Sequence, residues 1–152
     1  ALDAPAPFES DADHLGAALM TPTRIYQKAA TTALATGGVT GIVHITGGGL
    51  IENPPRVFDD GVSFRLECAT APLPPVFSWI RDTGNLELSE LARTFNCGIG
   101  LIIYVDASKA SEVLHALQTG PEPEAYIVGD IVTRYDQPAV ILDGVHHWRR
   151  QT

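Results

Sequence analysis

The chain has 152 residues, of which 45% are hydrophobic and 18% charged, with a formal net charge of −8. That is enough for one ordinary domain with a core of its own, and it excludes a wholly disordered chain. The acidic balance, with only Lys28 and Lys109 as lysines and no basic run, excludes a broad nucleic-acid surface; two cysteines exclude a disulfide scaffold; and no apolar run approaches the ~20 residues that span a bilayer.

A local anion site stays open, because a few arginines and backbone N–H groups bind one phosphate on an acidic protein. With Cys68 and Cys97 free and no signal peptide visible, a reduced, cytoplasmic setting is expected. The chain starts at Ala1 and its one methionine is Met20, so an internal fragment or a processed product is expected. Residues 1–14, rich in Ala, Pro and Asp, read as an extended linker from a domain upstream.

In chain order, Thr21 and Pro22 predict a helix N-cap and first turn, with the helix running to Ala35 and ending at Gly37-Gly38. Val39 to Ile45 predicts a buried strand. Gly47-Gly48-Gly49 leads into a helical turn stopped by Pro54-Pro55. Val62 to Glu67 alternates as a strand, Pro74-Pro75 opens a helix ending near Gly84, and a short helix covers Leu86 to Phe95. Cys97 to Val105 reads as the clearest buried strand. Asp106 to Gln118 reads as an amphipathic helix with Ala110, Val113, Leu114 and Leu117 facing the core. Strands at Tyr126–Val132 and Ala139–Leu142 follow, and 146–152 reads as a polar, mobile tail. The order is not strict β-α alternation, so an α+β fold with a mixed β-sheet packed with helices is expected.

Two clusters can carry chemistry. In His44-Ile45-Thr46-Gly47-Gly48-Gly49 a strand runs into three residues without Cβ. Backbone of this kind approaches a ligand closely and aims N–H groups at an anion; a tight strand-to-helix turn explains it equally well. It is neither a Walker loop nor a dinucleotide fingerprint. His44 is a general-base or phosphate-donor candidate, or a structural histidine. Downstream, Asn53 can donate to a carbonyl or amide, and Arg56 after the rigid Pro-Pro step can clamp a phosphate or carboxylate. The plain alternatives are a turn asparagine and a surface arginine.

The second cluster is Arg93-Thr94-Phe95-Asn96-Cys97-Gly98-Ile99-Gly100. Gly98 and Gly100 share one strand face, so a ligand or another backbone packs closely there. Cys97 near His44 raises a Cys–His nucleophile, against the ordinary small buried thiol. Asp143, His146 and His147 lack a Cys or Glu at ligand spacing, so no metal site is expected.

The wording of the motifs goes further than their physics. The segments Leu15-Gly16-Ala17-Ala18-Leu19-Met20-Thr21-Pro22-Thr23-Arg24-Ile25-Tyr26, His44 to Gly49, Glu52-Asn53-Pro54-Pro55-Arg56-Val57, Phe77-Ser78-Trp79-Ile80 and Arg93 to Gly100 occur in that order. Together they resemble phosphoribosylformylglycinamidine cyclo-ligase, also called aminoimidazole ribonucleotide (AIR) synthetase, from about Leu15 to Val132. Two places depart from the pattern: Pro54, where an apolar residue is more usual, and Ala69 to Pro72, where a tryptophan often stands. The resemblance covers only the C-terminal half of such an enzyme.

The resemblance implies an AIR-synthetase C-terminal-domain-like fold over residues 15–145. It implies ATP-dependent cyclisation of formylglycinamidine ribonucleotide (FGAM) to AIR, ADP and phosphate. ATP and Mg²⁺ are then bound mainly by an N-terminal domain outside this sequence, and the intact enzyme is a homodimer. This chain alone is expected to be inactive. On that footing Gly47, Gly48, Gly49 and Arg56 face a phosphate. Asn53, Arg93 and Asn96 orient the amidine or formamide, and His44 and Thr46 line the ring-closing site. The alternatives are a related ATP-dependent enzyme (selenophosphate synthetase, thiamine-monophosphate kinase, a hydrogenase maturation factor or FGAM synthetase) and a stand-alone, non-catalytic binding or assembly domain.

Overall fold

The computed structural model describes residues 1–148. Among the described residues there are six α-helices, and five strands form two sheets. The helices are α1 (Leu15–Leu19), α2 (Gln27–Thr36), α3 (Gly49–Glu52), α4 (Pro75–Gly84), α5 (Leu88–Thr94) and α6 (Ala110–Gln118). The strands are β1 (Val39–His44), β2 (Val62–Glu67), β3 (Leu101–Val105), β4 (Gly129–Thr133) and β5 (Val140–Asp143), with short 3-10 turns at Pro54–Val57, Ala107–Lys109 and Val145–Trp148. β1 pairs antiparallel with β3; separately, β2 lies between antiparallel β4 and parallel β5. The fold is therefore α+β with mixed pairing, and its strands form a ribbon and a three-stranded sheet.

The ribbon is covered on both faces. Ile102 and Val43 belong to the main core with Ile45, Leu50, Phe64, Leu66 and Leu91, whereas Ile103, Val105 and Val39 pack on the helix pair α2–α6 through Ala29, Ala33, Val113 and Leu117. Val39 and Val43 have the same parity yet join opposite cores, because the register shifts between Val39 and Gly41; a bulge re-aims the side chains that follow it. Burying a leucine such as Leu50 or Leu91, both fully enclosed, contributes about 1.5–3 kcal/mol.

Four expectations need correction. The helix predicted from Thr21 starts instead at Gln27. Leu15–Leu19 forms a helix of its own, capped by the His14 ring, which accepts from Ala17 N at 3.1 Å. The Thr21 hydroxyl donates back to Ala18 O at 2.9 Å, and Pro22 holds its predecessor out of helical backbone. Residues 1–14 are not an extended lead-in: Leu15 N donates to Ala4 O and Gly16 N to Leu2 O, both at 2.8 Å, and Phe8 sits on Trp79 with ring centroids 5.4 Å apart.

The strand expected from Cys97 begins only at Leu101. Asn96 Oδ1 accepts the Gly98 N–H at 3.0 Å, and Cys97 and Gly98 have φ of 50° and 92°, a turn built on an asparagine side chain. The polar tail is in part a docked element. Trp148 is buried, its indole Nε1 donates to Ala71 O at 2.6 Å, and Arg81 donates to Trp148 O. Residues 149–152 of that expected tail lie outside the described residues.

Candidate functional site

The end of the ribbon where His44 pairs with Leu101 gathers most of the predicted residues. Ile45 N donates to Gly100 O at 2.9 Å, so the chain leaves β1 beside the turn that enters β3. The Thr46–Gly49 loop then doubles back. Asn53, 1% exposed, accepts the Thr46 N–H through Oδ1 at 2.6 Å and donates through Nδ2 to Gly47 O at 2.9 Å. The side chain read as a ligand contact thus makes two hydrogen bonds within the loop.

The three glycines differ. Gly49 is buried with φ 54°, and a Cβ there would strike the carbonyl oxygens of Ala92, Arg93 and Phe95 at the end of α5. Its N–H is donated to Thr46 O at 3.0 Å. Close backbone approach, rather than ligand access, explains this glycine. Gly48 has φ 98° and abuts Asn53 and Glu52. Gly47 is exposed, with open space where its Cβ would be.

Arg93 reaches across from α5 to Glu52 at 3.2 Å, an exposed ion pair at the rim of the loop. Asn96 uses Oδ1 in its turn, and its amide nitrogen makes no hydrogen bond to a described residue. The exposed His44 ring contacts the Tyr26 ring edge-on at 5.6 Å. Burial raises the Tyr26 phenol above its usual range, so it stays protonated at neutral pH. Arg56 is the outlier. It lies on the 3-10 turn after α3, its backbone N–H donates to Asn53 O at 3.1 Å, and its exposed guanidinium pairs with no described residue.

The space at Gly98 and Gly100 is filled from within the chain, by Pro74 and by the Tyr26 hydroxyl. Tyr26 was not singled out by its type. Only the pairing of β1 with β3 shows that its ring has to cross a residue lacking Cβ. The Cys97–His44 nucleophile is ruled out by placement. Cys97 is 1% exposed, its thiol faces Leu91 O and Phe95 O at 3.8 and 3.7 Å, and burial pushes it up to about 12. A thiol in that state supplies almost no thiolate.

The site is therefore a glycine loop with Thr46 and Gly47 exposed, flanked by Asn96, His44 and the Arg93–Glu52 pair. Among the described residues it contains no nucleophile–base pair, since Cys97 is enclosed. Among the described residues, no three of His, Cys, Asp and Glu gather closely enough to hold a metal ion, and no helix is long and apolar enough to cross a membrane.

The fold is similar to that of E. coli HypE, a hydrogenase maturation protein, with a TM-score of 0.59 at 22% identity over 84% of this chain. A second E. coli HypE structure matches with the same TM-score and identity. The chain spans 39% and 38% of the lengths of those two chains. The family model for the AIR synthase related protein, C-terminal domain, matches residues 3–140, and the chain belongs to that family.

Proposed function

We propose that this chain is the C-terminal, substrate-recognising domain of an ATP-dependent cyclo-ligase that converts FGAM to AIR. The observation that carries the reading is the Thr46–Gly49 loop pinned by Asn53 beside the Asn96 turn. In the proposed reaction ATP phosphorylates the formamide oxygen of FGAM. An amine nitrogen of the substrate then attacks the activated carbon, the imidazole closes, and phosphate leaves. Such chemistry needs positioning and charge stabilisation more than a protein nucleophile, which suits a site without one.

In this reading Gly47, Gly48 and Arg56 meet the ribose phosphate, and Gly49 and Asn53 hold the loop in shape. Arg93 and Asn96 orient the amidine or formamide, while His44 and Thr46 line the ring-closing site. Mg²⁺ and most ATP contacts are assigned to an N-terminal domain, with a homodimer as the working enzyme.

Calorimetric titration of this chain with FGAM, and separately with MgATP, tests the division of labour. Heat from FGAM alone, lost in Arg56→Ala and Asn96→Ala, is expected. Joined to its N-terminal domain, the enzyme is expected to form AIR from FGAM and MgATP; failure to do so sinks the cyclo-ligase reading. An unchanged FGAM KM in Arg56→Ala of that enzyme removes the phosphate role. The fold likeness to HypE favours a second reading, a hydrogenase-maturation-type member of the same superfamily. That reading gains if the intact protein hydrolyses ATP but leaves FGAM untouched.

A further inference from the structure

Strand β3 is hydrogen-bonded to β1 on one side, and β4 to β2 on one side. Their other edges border a groove of about 720 Å³. Consecutive residues line it, 98–107 on one wall and 124–131 on the other. A sheet face presents alternate residues, so an unbroken run marks a strand edge, where backbone N–H and C=O groups are open to a further strand.

Two independent features accompany the edges. Tyr104 lines the groove, and its hydroxyl is buried with no hydrogen-bond partner among the described residues, a rare condition in a native fold. The wall at 124–131 presents accessible apolar side chains between Glu124 and Asp130, with Tyr126, Ile127 and Ile131 47%, 56% and 41% exposed.

Charge narrows the occupant. The lining holds the carboxylates of Asp106, Glu122, Glu124 and Asp130 and one guanidinium, Arg24, and Asp130 is also paired with Arg65 at 2.7 Å, which leaves the groove net acidic. Arg24 is shared between Glu122 at 3.4 Å and Glu124 at 3.9 Å. A second copy of the chain would bring the same carboxylates against these, a repulsive match. A segment with basic ends would meet them favourably.

We propose that this groove binds an extended peptide segment of a partner protein, which pairs with the open edge of β3 and carries alternating β-branched side chains between lysine or arginine ends. Main-chain pairing supplies the affinity and the alternate side chains the selectivity, as in other strand additions. The five residues of β3 set the length of the paired stretch. A threonine hydroxyl or main-chain carbonyl of the segment accepts a hydrogen bond from the Tyr104 hydroxyl. The segment adds a strand to the β1–β3 ribbon on the side that faces β4.

The probe is fluorescein-labelled Lys-Val-Thr-Val-Thr-Val-Lys, titrated against the whole chain by fluorescence anisotropy. Expected are saturable binding with a Kd below about 1 mM and slowed amide exchange at 101–105. Affinity is expected to fall at least about tenfold when the inner peptide nitrogens are methylated, when the end lysines are replaced by glutamates, or in the Glu122→Lys, Glu124→Lys double variant. Tyr104→Phe, which keeps the ring packing, is expected to weaken binding about threefold. No binding up to about 1 mM, or binding indifferent to N-methylation, overturns the proposal. Self-association of the chain that protects 101–105 without peptide also overturns it and assigns the groove to a second copy.

Discussion

Asn53 and Thr46 are seven positions apart, yet the buried Asn53 carboxamide accepts the Thr46 N–H at 2.6 Å. The same carboxamide donates to Gly47 O at 2.9 Å. One side chain thus replaces the backbone partners that a loop leaving β1 would otherwise lack. Asn53→Ala removes both bonds and leaves the Thr46 N–H and the Gly47 C=O without that partner, so a loss of about 1–3 kcal/mol is expected in urea denaturation. Asn53→Asp restores the acceptor but sets an oxygen against Gly47 O, and is expected to recover less than half of that loss. A wild-type midpoint for Asn53→Ala would show that the loop does not depend on this residue.

The glycines of the loop separate structure from ligand access. Gly49→Ala combines a φ of 54° with a collision against three carbonyl oxygens, and a loss above about 3 kcal/mol is expected. Gly47→Ala meets nothing within 4 Å, and a stability change within about 0.5 kcal/mol is expected. Thermal melts of the two variants check the contrast. If the proposed phosphate contact is correct, Gly47→Ala lowers FGAM affinity while the melt stays put.

Burial pushes both Cys68 and Cys97 up to about 12, from a reference of 9.0. Between those values the folded chain retains protons that the unfolded chain has released. Their contribution to stability is therefore full below about pH 9 and falls as pH rises toward 12. Denaturation midpoints measured from pH 8 upward are expected to decline from about pH 9. Thiol labelling at pH 8 is expected to be slow in the native protein and to count both cysteines in denaturant; fast native labelling of Cys97 would contradict its placement.

Trp148 closes the main core from the far end of the chain, 2% exposed and bonded to Ala71 O. Trp148→Ala opens a large cavity and leaves the Ala71 carbonyl unpartnered, for an expected cost of about 3–5 kcal/mol. Arg81, also buried, loses the packing around the carbonyl it donates to. Chemical denaturation monitored by circular dichroism checks this. A cost below about 1 kcal/mol would mean that the terminal turn adds little to the domain.

Local signals were readable in the residues themselves. The alternation in Val62–Glu67 set β2 at its observed limits, Pro74-Pro75 and Gly84 bounded α4, and Gly37 ended α2. The five ordered motifs resembled the family to which residues 3–140 belong. Each of these rests on short-range sterics or on wording, and a linear sequence carries both in full.

Tertiary structure decided the rest, because the deciding partners are distant in the chain. The Cys97 turn looked like a strand because Cys97 and Ile99 are buried, yet the Cys97 thiol faces Leu91 O and Gly98 lies against Pro74 rather than against strand neighbours. Trp148 looked like part of a polar tail because Ala71 and Arg81 are 77 and 67 positions away. Asn53, which read as a ligand contact, bonds within the loop to Thr46 N and Gly47 O. Sequence determined which residue types were available at the site; packing determined which of them were already occupied and which face outward, since a hydrogen bond made inside the fold is no longer free for a ligand.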